Sequence, residues 1–258
     1  MTESQGPPAD AGEVTLPPGT AELWQPAGRP RRGPRPGLSV EAITRAAIDI
    51  ADGEGLAAVS MARVAKALGV TTMALYRYVA SKEALLALML DAIAPLPEEP
   101  EDPALPWRVR LETWCRDQLA LFVEHPWMGQ LVGVAAVGPN RVGWIERGLR
   151  ALEDVRVSEG LKTAIVGRLS LHLLTEGQML VAMRAADAGA DSDHPALLDF
   201  NAMLRAVTNP QDHPAITAAL DAGAFSNDGP NDVDDAGLGL TILLDGVEAL
   251  LRRAAPGG

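Results

Sequence analysis

Cysteine is almost missing from these 258 residues: Cys115 stands alone. An intramolecular disulfide and a cysteine-rich zinc site are therefore both excluded. Aromatic residues reach only 4%, and apolar–polar alternation is poor, so a sheet has little support. No apolar run approaches the roughly 18 residues that a membrane span requires. The first residues lack the basic-then-apolar order of a signal peptide, so a soluble, cytoplasmic protein is expected. The four histidines are His125, His172, His194 and His213, and three of them precede proline. There is no His-x-x-x-His pair for a metal on a helix face and no glycine-rich phosphate loop. Cys115 falls in a helical apolar pattern and reads as core rather than nucleophile. Neither an enzyme nor a metal or cofactor protein is expected.

Hydrophobic residues make up 47% of the chain and charged ones 22%, enough apolar surface for one or two folded domains. The net charge of -12 argues against a nucleic-acid partner until its distribution is read. Residues 1–28 hold four acids and no Lys or Arg; residues 29–90 hold nine Lys and Arg against five Asp and Glu. The remaining 168 residues carry 13 and 25. A basic island in an acidic chain is the pattern of a small module that meets a polyanion, attached to a part with a different role.

Residues 1–37 are rich in Pro, Gly and small polar residues without apolar period, and are expected to be a disordered N-terminal arm. Its end, 29–35, is basic (Arg29, Arg31, Arg32, Arg35). Two readings stay open there: an arm along phosphates or in a minor groove, and a solvated linker. From Leu38 the pattern becomes helical. Ser39, Ser60, Thr71 and Ser81 are each placed to cap a helix, and glycines or Pro95 and Pro97 stop them. Past an acidic, Pro-rich hinge, helices are predicted over about 106–124, 126–136, 140–153, 158–187, 195–207, 213–222 and 235–253. Loops rich in Asp, Gly, Pro and Asn lie near 187–195 and 225–235. The predicted fold is all-α, with an N-terminal three-helix module (38–94, including a linking helix) and a larger helical domain (95–258).

The stretch Ser60–Leu86 is two short helices joined at Leu68-Gly69-Val70, the arrangement of a helix-turn-helix. Val64, Leu68, Val70, Leu75 and Val79 are spaced to share a small core, leaving Thr72, Met73, Ala74, Tyr76, Arg77 and Tyr78 for other faces. The sequences Ala65-x-x-Leu68-Gly69-Val70-Thr71, Leu75-Tyr76-x-Tyr78-Val79 and Ser81-Lys82-Glu83-x-Leu85-Leu86 resemble those of TetR-type bacterial transcriptional regulators. The resemblance implies a homodimer on double-stranded DNA, with the helix from Thr71 to about Tyr78 in the major groove. Carried over by position, Thr72, Met73 and Ala74 would face base edges, and Tyr76, Tyr78 and Lys82 the backbone. Arg77 would serve either purpose. Helix starts at Ser60 and Thr71 offer backbone N–H groups to phosphate. Arg63 and Lys66 read equally as contacts or as solvated residues.

Pro106-Trp107, His125-Pro126-Trp127, Gly138-Pro139-Asn140 and the helix 158–187 resemble the regulatory domain of the tetracycline-repressor type. That implies a small-molecule pocket and a dimer interface built from helices near 158–187 and 235–253. Trp107, Trp114, Trp127 and Trp144 are four of the chain's five tryptophans and suit an apolar, aromatic cavity. His172, Thr175, Glu176 and Gln178 are the polar candidates, with Met179 and Met183 as walls. The histidine and glutamate that hold magnesium–tetracycline in that type are not matched here: Gly138-Pro139-Asn140 has no neighbouring histidine, and the second position falls near Val181, with Glu176 close by, so magnesium–tetracycline is not supported. The expected function is a ligand-responsive regulator, a repressor released from a palindromic operator by a small apolar or aromatic molecule. The other reading is a constitutive or protein-regulated repressor.

Overall fold

Hydroxyl side chains open the N-terminal helices as their spacing predicts. In the computed structural model, which describes residues 17, 19–24, 38–97, 102–131, 134, 137–187, 200–225 and 235–254, Ser39 Oγ accepts the Ala42 N–H at 3.1 Å and starts α2, Val40–Glu54. Ser60 does the same with Arg63 for α3, Met61–Leu68. Thr71 accepts from Ala74 to start α4, Thr72–Leu75, and Ser81 from Ala84 to start α5, Lys82–Ala92. Each cap satisfies an N–H that has no partner in its own helix, worth about 1 kcal/mol. At the other end of α3, Gly69 adopts φ +67°, where a side chain would be strained. There the Val70 N–H reaches back to the Ala65 carbonyl, which closes the helix and turns the chain toward α4.

All described secondary structure is helical. Upstream lies α1, Thr20–Leu23; downstream come α6 (Trp107–Glu124), a 3-10 turn (Pro126–Leu131), α7 (Pro139–Arg150), α8 (Glu159–Asp187), α9 (Phe200–Val207), α10 (Pro214–Asp221) and α11 (Asp235–Ala254). Three expectations need correction. Residues 1–37 are not without structure throughout, because α1 packs on α5 and the Trp24 indole N–H donates to the Val137 carbonyl at 2.7 Å. The predicted helix 126–136 is a 3-10 turn over its first six residues. The recognition segment is helical only to Leu75, with 76–78 in a turn. Val79 must enter the core and Ser81 must open α5 two residues later, which leaves no length for a longer helix. The basic stretch 29–35, most of the loops at 187–195 and 225–235, and the Met183 side chain lie outside the described residues.

The chain divides into two compact units, residues 1–100 with 125–146, and residues 101–124 with 147–258. A single cut near residue 94 does not reproduce this division, because 125–146 packs with the N-terminal helices. In the first unit Ile43, Ala47, Val64, Leu75, Val79 and Leu85, all almost inaccessible, form one core that Trp127 and Leu131 join. Two carboxylates tie the later segment in. Asp52 accepts the Trp127 indole N–H at 2.6 Å and lies 2.8 Å from His125 Nδ1. Asp91, buried on α5, accepts the N–H groups of Arg141 (2.9 Å) and Asn140 (3.4 Å), and its own carbonyl accepts from Asn140 Nδ2. Asp91 thus caps α7 from a different helix. The residue before that helix, Gly138, has no side chain to cap with, and a Cβ there would collide with the Asp91 carboxylate.

The second unit is built mainly on α6 against α8. Trp114 is buried beside Gly148 and Val166, and Phe122 lies against Gly177, where a Cβ would not fit. Arg110, 3% exposed, is held by Glu153 at 3.1 Å, Asp154 at 2.7 Å and the Arg150 carbonyl. Cys115 is fully buried, and desolvation, helped by the charge of Glu112, pushes its thiol up to about 12. It is a core residue.

Candidate functional site

From α3 to the start of α5 the sequence divides its side chains sharply between core and solvent. Leu75 and Val79 are fully buried, as is Val64 on α3. Between and around them Met73 is 73% exposed, Tyr76 46% and Tyr78 40%, with Arg77 and Lys82 also exposed. Thr72 and Ala74 are half-buried, so of the three residues expected at base edges only Met73 projects freely. Both tyrosines leave close to half of their surface in solvent. Ser60 and Thr71 are exposed, and their hydroxyls are engaged as caps.

Residues 60–82 contain Arg63, Lys66, Arg77 and Lys82 and no Asp or Glu. The charge of Arg63 is answered by Glu54 at the end of α2. Glu83, just beyond, turns its carboxylate back to its own N–H and the Ser81 hydroxyl, which with the neighbouring Lys82 lowers its pKa. Four cations and two aromatic hydroxyls on one stretch, in a chain of net charge -12, suit a DNA-contacting surface.

The comparisons with known proteins agree with this geometry. Residues 43–89 match the family described as bacterial regulatory proteins, tetR family, and residues 97–251 match the tetracyclin repressor-like C-terminal domain. The chain belongs to the TetR family. Its members are transcriptional regulators rather than enzymes, and this chain is a DNA-binding regulator of that kind. It is 35% identical over 241 residues to the HTH-type transcriptional repressor DrrR1 of Streptomyces coeruleorubidus, covering 90% of this chain and 85% of that protein. Its fold is similar to ActR of Streptomyces coelicolor without ligand (TM-score 0.70, 23% identity, 84% of this chain and 98% of ActR). It is also similar to ActR in complex with actinorhodin (TM-score 0.68, 22% identity, 87% and 100%).

Trp127 and Trp144 belong to the first unit with their indole N–H groups bound, Trp127 to Asp52 and Trp144 to the Ala94 carbonyl at 2.8 Å. Trp107, half-buried, and Trp114 belong to the second. Trp114, Trp127 and Trp144 are buried. On α8, His172 and Glu176 are half-buried neighbours, Nε2 to Oε2 3.9 Å, facing Gly239 of α11. His172 Nε2 is shielded from solvent without a hydrogen-bond partner among the described residues. Thr175 donates to the Leu171 carbonyl and is exposed, as is Met179. No helix of the described residues is long and apolar enough to cross a membrane, and no cluster of three metal-ligating side chains occurs among them.

Sequence reasoning missed Asp52 and Asp91. A signal existed for the second: one carboxylate set among Leu88, Met89, Ala92 and Ile93. Its partner, the start of a helix almost 50 residues away, is invisible to local pattern.

Proposed function

We propose that this regulator is a ligand-responsive repressor, a homodimer whose paired α4 segments enter successive major grooves of a palindromic operator. The exposed set Met73, Tyr76, Arg77, Tyr78 and Lys82, held rigid by the buried Leu75 and Val79, carries this reading. Thr72, Met73 and Ala74 face base edges, Tyr76, Tyr78 and Lys82 the backbone, and Arg77 either. Backbone N–H groups near Ser60 and Thr71 add phosphate contacts. The similarity to DrrR1, a repressor, favours repression over activation.

The dimer is formed by α8 and α11. Leu171 on α8 and Leu238, Ile242 and Leu250 on α11 expose apolar surface, and the two helices enclose an apolar groove of about 300 Å³ lined by Leu161, Ile165, Leu169, Leu243 and Val247. A second copy that brings the same two helices covers both in a four-helix bundle.

The effector is a small apolar or aromatic molecule, bound in the second unit near Trp107, Trp114, His172, Thr175, Glu176 and Met179. The unanswered Nε2 of His172 beside the Glu176 carboxylate is the observation that favours a polar anchor on such a ligand. ActR, of similar fold, has been seen with actinorhodin. Binding displaces α5 and so the paired recognition segments, to the extent that the ligand prefers the non-binding state. The test is an aromatic and apolar compound library scored by tryptophan fluorescence and then by release of operator DNA. A hit that quenches fluorescence and releases the operator is expected; no response across the library leaves the constitutive or protein-regulated repressor in its place.

A further inference from the structure

Met73 is, together with Val207, the most exposed large apolar side chain among the described residues. At about 100° per residue it lies roughly 160° around the helix from Leu75, so the inward anchor aims it straight away from the core. Its surroundings do not suit an apolar protein partner. Residues 60–82 bring four cations and no acid, and Lys66, Tyr76, Arg77, Tyr78 and Lys82 are exposed on the same stretch. An apolar tip on a cationic, hydrogen-bonding stretch calls for a polyanion that displays one apolar group amid polar ones. The major groove of DNA is such a surface, and the only apolar group its standard base pairs show there is the C5-methyl of thymine.

We propose that Met73 is a specificity-determining residue that reads a thymine by packing its thioether on the C5-methyl, one thymine in each half-site. The proposal rests on the reading that α4 faces base edges and adds which base chemistry it selects. The side chain has the reach and pliability that this contact needs, being unbranched and polarizable with three rotatable bonds. Thr72 and Ala74 are shorter and half-buried, so neither substitutes for it. Arg77 keeps the hydrogen-bonding role that a methyl reader lacks.

Replacing thymine by uracil removes the methyl and leaves Watson–Crick pairing and every groove hydrogen-bonding group in place. Operators recovered from a random duplex pool are therefore rebuilt with uracil at one thymine position at a time and titrated with wild type, Met73→Ala and Met73→Leu. Wild type should lose about 4-fold in affinity at one thymine per half-site, the scale of one methyl group returned to water. Replacing both symmetry-related thymines should cost about 15-fold, the product of two such losses. Met73→Ala should bind the thymine operator more weakly and be indifferent to uracil there, while Met73→Leu should keep most of the sensitivity. Because the residue is solvent-exposed, both variants should fold as wild type does, checked by circular dichroism. Equal uracil profiles for wild type and Met73→Ala, or no thymine whose methyl matters, overturn the proposal while leaving DNA reading by α4 intact. A protein that enriches no sequence from the pool overturns that underlying reading and the proposal with it.

Discussion

Arg77 and Lys82 separate two kinds of contact that a single face can make. Lys82 stands at the first position of α5, exposed, as a compact charge suited to a phosphate. Lys82→Ala should weaken binding to all sequences alike and reduce the slope of log affinity against log salt by about one per half-site, measured by titration at several salt concentrations. Arg77→Ala should also weaken binding. If the guanidinium reads guanine, discrimination at one position per half-site should fall by about 1–3 kcal/mol in a competition assay with single base-pair variants. In the other unit, Cys115 should resist alkylation at pH 8 in the folded protein and react once denatured, because burial keeps it a thiol. The corresponding stability effect has a definite sign. The raised folded pKa leaves stability untouched below the ordinary thiol range and lowers it progressively as pH climbs from there toward about 12.

Helix boundaries were readable wherever a local chemical reason fixes them. Ser39, Ser60, Thr71 and Ser81 each cap the helix their spacing announced, and Gly69 turns the chain with a positive φ. Gly69→Ala should therefore cost about 1–2 kcal/mol in denaturant unfolding. The elements that resisted reading depend on distant partners. Pro126–Leu131 forms a 3-10 turn because Trp127 must reach both the core and Asp52, and α7 begins at Pro139 because Asp91 supplies its cap. The role of a tryptophan is not legible locally either: apolar aromatic residues serve a core as well as a cavity, and only tertiary contacts distinguish them. Asp91→Ala should destabilise the protein by about 1–3 kcal/mol and raise amide hydrogen exchange at Asn140 and Arg141 above that of the rest of α7. Unchanged exchange there would remove the cross-helix cap.

At the scale of the molecule, a cationic face on an acidic chain and two apolar helices call for different partners. Ile242 is 60% exposed on α11, and a carboxylate in its place would lie in the seam of the proposed bundle. Ile242→Asp should shift the protein from dimer to monomer in size-exclusion chromatography with light scattering, and weaken operator binding by losing the second half-site. Both effects come from one surface, far in sequence from the residues proposed to touch DNA. The most direct test of paired reading is to recover and sequence the duplexes that the protein selects from a random pool. The account predicts an inverted repeat whose half-site centres lie about 10 base pairs apart or a multiple of that. Enrichment of a lone, unrepeated half-site, or of no sequence at all, would contradict it.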